Sequence, residues 1–400
     1  MANTILTPTA VTRKALAILH QKLNFVGNVN RTYDSSFAKT GAKIGDSLKI
    51  RLPNRFTIRT GATLSTQDVA EESTTLQVAT QKGVDTTFSS NELTLSLDDF
   101  ADRILEPAMA VLAANIEADA LSMYKDVWNV YDQDATAFAL SSMLGGRKIL
   151  NDTLTPMDNN RTALLTTDAA VKFMTDTKGL FQDSNALSKQ FKDGVIGRTA
   201  GFDVYENTLL VPHTTGTAAK TTTYTVNGAI TTNGTAAVTV ATGSTTFAIG
   251  DVFTVAGCFR VHPETKVSTG VLQNFVVTAA YSGGAGSLAF SPAVYTSGAL
   301  QNVVAAGMAN GSAIVKIGAG ASETLTNNLV FHRDAFAFAT ADLQMPDGVD
   351  FSAREVYDGI SLRIVRQYAI STDTFPCRID VLYGYKTIRP QMAARLHADG

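Results

Sequence analysis

Cysteine is nearly absent from this chain. Cys258 and Cys377 are the only two in 400 residues, far apart and in neither zinc-type nor redox-type spacing, so a disulfide framework is excluded and both read as buried thiols. Histidine is scarce too. His20, His213, His262, His332 and His397 show no metal-ligand spacing with a second histidine, a cysteine or a carboxylate pair, and they read as isolated surface or core residues. No apolar stretch approaches the roughly 20 residues of a membrane span, so no membrane contact is expected. Residues 1–12 lack the basic start, apolar centre and small-residue cleavage site of a secretory signal, and the chain is expected to stay in the cytoplasm where it is made. Charged residues make up 17% with a net charge of −3 and no lysine or arginine block. Nothing here is built to grip phosphates by counterion release, so any contact with nucleic acid should be weak.

Sequence signs of catalysis are missing as well. Gly283-Gly284-Ala285-Gly286 has neither the lysine of a phosphate-cradling loop nor the spacing of a dinucleotide fingerprint, and it lies between β-type runs; it reads as a turn. No nucleophile elbow or papain-like cysteine context occurs. The adjacent carboxylates Asp98-Asp99 and Glu71-Glu72 read as solvated or helix-starting charges rather than catalytic pairs. No catalytic residue, metal site or cofactor is therefore assigned.

What the chain does have is a sharp change of composition. Between Thr214 and Asn328 only seven of 115 residues are charged, yet fifteen of the thirty glycines fall there. Threonine and alanine abound, with short β-type runs at Tyr224–Val226, Ala237–Val240, Val252–Val255, Phe275–Thr278 and Ala313–Ile317. Short strands between glycine-bearing turns predict a small antiparallel barrel or sandwich. The flanks are mixed α and β and neither looks complete alone, so the β-rich piece reads as an insertion into one larger domain. Three domains in series is the alternative.

In the N-terminal part, Thr7 and Pro8 make a good helix start. Val11, Ala15 and Ile18 then predict a short amphipathic helix ending near Phe25. Extended runs follow at Ser47–Arg51 and Arg55–Thr60, separated by Pro53 and Asn54. From Leu76 to Phe88 apolar and polar residues alternate, which predicts half-exposed strands. The strongest helix starts at Pro107, with Met109, Leu112, Ile116, Ala120, Met123 and Val127 as one stripe and Glu117, Ser122 and Lys125 on the opposite side. About 21 residues would make a rod of roughly 30 Å.

Several stretches, in order along the chain, resemble the coat proteins of tailed bacteriophages, in particular the short-tailed phage coat family with an inserted β-barrel. They are Thr7-Pro-Thr-Ala-Val-Thr-Arg-Lys-Ala-Leu, Asn30-Arg-Thr-Tyr-Asp, Ser47-Leu-Lys-Ile-Arg-Leu-Pro-Asn-Arg-Phe, Gly197-Arg-Thr-Ala-Gly-Phe-Asp-Val-Tyr, Leu210-Val-Pro-His, Asn328-Leu-Val-Phe-His-Arg-Asp-Ala-Phe and Arg378-Ile-Asp-Val-Leu-Tyr-Gly, closing with Arg389-Pro. The resemblance implies an α+β capsid fold of the Hong Kong-phage type. Residues 1–45 would be an N-terminal arm, 46–90 an extended hairpin lying over a neighbour, and 91–134 a peripheral domain with its spine helix. Residues 135–213 and 329–345 would be the axial domain, 214–328 the inserted barrel, and 346–400 the peripheral return.

It also implies a function: a major capsid protein that self-assembles as pentamers and hexamers into an icosahedral head, with no enzymatic activity. The implied partners are a scaffolding protein, a portal protein, weakly held double-stranded DNA and decoration proteins, and the implied location is the virion. Family members can carry a long charged loop in the inserted domain, whereas Asn227–Gly234 here is short and uncharged, which puts those two-fold contacts in doubt. Related capsids cross-link a lysine to an asparagine; Lys49 and Lys82 read instead as ordinary surface lysines. Arg51, Arg55 and Arg59, spaced by four, are the candidates for pairing with a neighbouring copy's acids, against the plainer reading as solvated charges. Two other functions stay open, a shell for a cellular nanocompartment and a β-rich surface or adhesion protein.

Overall fold

The computed structural model describes residues 12–15, 23–33, 45–64, 66–67, 71–89, 106–177, 197–241, 243–357, 360–372 and 374–399. Asp98-Asp99, His20 and most of the helix expected from Thr7 lie outside these; residues 12–15 are helical, and Phe25–Asn28 forms a separate helical turn. The chain divides into two units, one of Met1–Arg51, Ser73–Ser122 and Phe336–Ile388, the other of Leu52–Glu72, Met123–Ala335 and Arg389–Gly400.

In the first unit the expected stripe does form a helix, Glu106–Leu121, with Met109, Leu112, Ile116 and Ala120 buried. At 16 residues it is about 24 Å long, shorter than expected because the chain tightens into a 3₁₀ turn at Ser122–Asp126. Glu117 corrects the sequence reading. It is 1% exposed, and its carboxylate accepts the backbone N–H of Phe25 and, at 3.3 Å, that of Val26. The first N–H groups of a helical turn have no partner within it, and Asn24 gives no side-chain cap. Because Phe25 and Val26 are fully buried, water cannot serve them, and a buried carboxylate does.

The same unit holds a sheet organised on one long strand, Thr374–Thr387. It pairs antiparallel with Ile360–Arg366, beyond which lies Phe351–Tyr357. It also pairs antiparallel with Phe336–Ala341 and with Thr80–Ser89. The expected hairpin over residues 46–90 is therefore divided. Asp46–Arg51 pairs with Ser73–Val78, whereas Thr80–Ser89 is bound along its length to this chain's own sheet. A Cβ at Gly384 would stand 2.0 Å from the Gln77 carbonyl oxygen, because backbone crosses backbone there. Gly384→Ala is expected to cost at least the roughly 1–3 kcal/mol of core overpacking. Gly27→Ala, where a Cβ meets nothing, should cost nothing, and urea denaturation of the two variants checks the contrast.

In the second unit a six-stranded sheet runs Val130–Ala137, Ala393–Asp399, Asn328–His332, Arg161–Leu165, Phe202–Glu206, Arg198–Thr199. The first pair and the Arg161–Leu165 with Phe202–Glu206 pair are parallel, the others antiparallel. Helices Leu140–Asp152 and Thr167–Thr177 bury Met143, Leu150 and Phe173 together with Ala394, Leu396 and Ala398 of the sheet. The return expected over 346–400 is thus split: residues through Thr387 join the first unit's sheet, and Ala393–Asp399 joins this one.

The low-charge segment is a nearly closed barrel. Its strands follow the order Thr235–Val240, Gly286–Val294, Ser268–Val277, Val252–Val261, Ala313–Lys316, Thr221–Thr225. A single bridge between Val226 and Val240 brings the last strand to the first, which leaves little free edge. Phe253, Phe275 and Phe290 meet at its centre with ring centroids 5.0–6.0 Å apart, flanked by Tyr224 and Phe247. Chain entry and exit are adjacent, since His213–Thr214 pairs antiparallel with Thr324–Leu325. Gly286–Val294 was not anticipated as a strand. Its Leu288, Phe290 and Val294 point into the core, but an opening glycine and Pro292 mask the pattern.

Candidate assembly surface and the barrel seam

Residues 52–64 contain no strand, contrary to the expectation for Arg55–Thr60. Their shape is held by side chains instead. The Gln67 amide brackets Thr57, its Oε1 accepting from the Thr57 N–H and hydroxyl at 2.8 and 2.9 Å and its Nε2 donating to the Thr57 carbonyl at 2.5 Å. Arg59 donates to the carbonyls of Gly61 and Thr63. Along this loop Phe56, Ile58 and Leu64 are 60, 94 and 79% exposed. Three large apolar side chains facing water within nine residues are costly to a monomer and mark a surface that something covers.

The three arginines do not share one setting. Arg51 ends a paired strand opposite Ser73, while Arg55 and Arg59 stand in the strandless loop. Arg59 is committed to its own loop. Arg55 is exposed, and its charge adds to burial, the larger cause, in lowering the pKa of Lys266 at the tip of a barrel hairpin. Of the lysines considered for cross-linking, Lys82 is engaged with Asp119 at 2.7 Å, and Asp119 also accepts from the Tyr383 hydroxyl at 2.6 Å. Both cysteines are buried, and burial pushes Cys258 up to about 12 and Cys377 up to about 11, so neither is a thiolate at neutral pH. Among the described residues no group of three or more His, Cys, Asp or Glu could hold a metal ion.

Sequence reasoning missed a buried polar seam between the barrel and the sheet that carries it. The strand Ala393–Asp399 alternates strictly, with Ala394, Leu396 and Ala398 in the core under the helices. Arg395 and His397 therefore project from the opposite face. That face would ordinarily meet water, yet Arg395 is 0% and His397 4% exposed. Asp251 sits at the centre of the seam, its Oδ1 2.8 Å from His213 Nε2 and its Oδ2 accepting the N–H groups of Ala248 and Gly216 at 2.8 and 3.0 Å. His213 Nδ1 lies 3.2 Å from the Tyr124 hydroxyl, and the Arg395 guanidinium lies over the Tyr124 ring at 5.8 Å. Nearby, the buried Lys316 ammonium donates to Thr215 Oγ1 at 2.9 Å and Gly320 O at 2.6 Å. Apolar contact completes the seam, with Val130 against Val252 and Val276.

Burial, then the electrostatic influence of Arg395 and His213, holds the pKa of His397 well below its ordinary value. Its native form is neutral, so between its native pKa and about 6.5 the unfolded chain binds the extra proton. Stability from this residue is complete above pH 6.5 and falls as pH drops through that value, by up to about 1.4 kcal/mol per pH unit. His397→Asn should flatten that part of the curve, as read from urea midpoints between pH 5 and 8.

Among solved structures the chain is similar to that of Mycobacterium phage Che8, at 10% identity and TM-score 0.47, covering 93% of this chain and 90% of that one. It is also similar to the mature capsid of bacteriophage PhiM1, at 10% identity and TM-score 0.43, covering 91% and 84%. A virus-like particle from Pyrococcus furiosus matches at 7% identity and TM-score 0.37, covering 97% of each chain. No curated protein matches it. The model of the family described as P22 coat protein, gene protein 5, matches residues 9–396. That match takes in both flanks and the whole barrel, and the chain belongs to the P22 coat protein family.

Proposed function

We propose that copies of this major capsid protein close into an icosahedral phage head chiefly through the loop 52–64, each loop seated on an adjacent copy. The observation that carries this is the exposure of Phe56, Ile58 and Leu64 on a segment without strand partners among the described residues. Such a surface is a liability on a monomer and an asset in a lattice, where a neighbour removes the apolar area at about 25 cal/mol per Å². The family supports the coat role. Assembly would take place in the host cytoplasm with a separate scaffolding protein and a portal protein, and decoration proteins could be added to the outside.

Packaged double-stranded DNA would be held by weak, sequence-independent contact. A net charge of −3 without basic blocks suits a container whose contents must leave again. The role requires no chemistry, and no residue is assigned to any. Expression of the chain with its scaffolding partner, followed by nuclease digestion and electron microscopy, tests the reading. Closed shells are expected, and DNA protected from nuclease in mature heads; a chain that stays monomeric with every partner contradicts it. Within the loop, Arg55 is the arginine left to reach a neighbour's carboxylate. Arg55→Glu is expected to lower assembly yield several-fold and to do so more at low salt than at high, measured as the fraction of protein sedimenting as particles; an unchanged yield removes Arg55 from the contact.

A further inference from the structure

We propose that the seam between barrel and sheet contains a buried site for a small monovalent anion of the halide class, held by the guanidinium of Arg395. Nε, Nη1 and Nη2 of Arg395 are all buried, and none has a hydrogen-bond partner among the described residues. A guanidinium carries five N–H donors in a fixed fork, and a charge taken out of water without acceptors is strongly disfavoured. The Tyr124 ring covers one face of the group but supplies no acceptor in its plane.

The nearest buried carboxylate does not fill the role. Oδ1 of Asp251 meets His213 and Oδ2 two backbone N–H groups, and neither oxygen hydrogen-bonds the guanidinium. Arg395 and Lys316, at 0 and 1% exposure, face Asp251 as the one fully buried carboxylate of the seam. Glu323 is turned to the N–H of Gly320 at 3.0 Å, and Asp126 is exposed. Asp126 and Glu323 act on Arg395 and Lys316 from more exposed positions, yet none of the three carboxylates hydrogen-bonds the guanidinium.

His397 defines the rest of the site. Asn327 donates through Nδ2 to the Val211 carbonyl at 3.3 Å, which turns its Oδ1 toward His397 Nε2 at 3.1 Å. This amide orientation assigns the His397 proton to Nε2, which leaves Nδ1, buried and without a hydrogen-bond partner among the described residues, as a lone pair suited to a donor. Arg395 and His397 share one face of the strand at positions two apart. An anion satisfies the guanidinium, and a water bound to that anion donates to Nδ1. Each orphaned nitrogen thus finds a partner of the right kind.

Halide binding to the folded chain alone raises its melting temperature by mass action, along a curve that saturates. The full-length unassembled chain is therefore melted in sodium chloride, sodium bromide and sodium gluconate mixtures at constant ionic strength. A saturable upward shift with chloride and bromide is expected, and Arg395→Met should abolish it. Crystals of the native chain grown in bromide give a second reading that survives any failure of the variant to fold: one anomalous peak within hydrogen-bond reach of the Arg395 guanidinium. Ordered water there without anomalous signal, or a halide response that neither saturates nor depends on Arg395, overturns the proposal.

Discussion

Ile58→Asp is expected to abolish shell formation while leaving the monomer as stable as before. Ile58 is 94% exposed, so its side chain contributes almost nothing to the free chain's core, and surface substitutions of this kind fall within about 0.5 kcal/mol. In a lattice the same position would be a desolvated apolar anchor, and anchors of that sort are worth about 2 kcal/mol or more each. Burying a carboxylate there without a partner adds a further penalty. Since about 1.4 kcal/mol is a factor of ten in an equilibrium constant, one altered contact per subunit, repeated over every copy, should take assembly below detection. Asn54→Asp places a new charge on the same exposed loop away from the apolar row and should assemble at least partly. Sedimentation of particles, set beside thermal melting of the unassembled chain, separates an assembly defect from a folding defect.

Asp251→Asn should produce the largest loss of stability of any single change considered. The carboxylate is the seam's one fully buried anion and joins His213 from the barrel's stalk to the backbone of Gly216 and Ala248. An amide of the same shape removes the charge that Arg395 and Lys316 both face. It also offers one acceptor where two oxygens had served three donors. Removing one partner from a buried ionic network typically costs about 3–5 kcal/mol, because the remaining charge is left uncompensated. Combining Asp251→Asn with Arg395→Met should recover part of that loss, since the second change removes the stranded cation; residues in one network are not additive. Urea titrations of the two single variants and the double variant measure the coupling, and strict additivity would mean that Asp251 and Arg395 do not interact.

The barrel was legible in the sequence because its signal is local. A segment with seven charges in 115 residues and runs of β-branched residues between glycines can do little else but make short strands. The spine helix was legible for the same reason, as the stripe from Met109 to Ala120 is a matter of spacing alone. Glu117 was not, since its carboxylate is needed by N–H groups more than ninety residues away in sequence. The pattern at Phe56 and Ile58 has the period of a strand, and the misreading of Arg55–Thr60 followed from it. Alternation states only which side is apolar; a strand also requires a second backbone, and none of the described residues supplies one there.

Arg395 and His397 pose the opposite problem. Their alternation with Ala394, Leu396 and Ala398 was plain, but alternation ordinarily places the polar side in water. Only the inserted barrel, docked on that side, turns the pair into interior groups. Nothing in a local window could announce this. The signal that existed was weak and distributed: five histidines in all, two of which, His213 and His397, converge with Asp251 and Lys316, two of the seven charges of a charge-poor segment. Charged residues retained in such a segment, where polar substitutes abound, were the clue to its buried attachment.

A reconstruction of the assembled shell at side-chain resolution examines the central claim directly. Phe56 and Ile58 of every copy should lie against the surface of an adjacent copy, with their exposure reduced nearly to zero. A closed shell in which both side chains still face solvent would contradict the account.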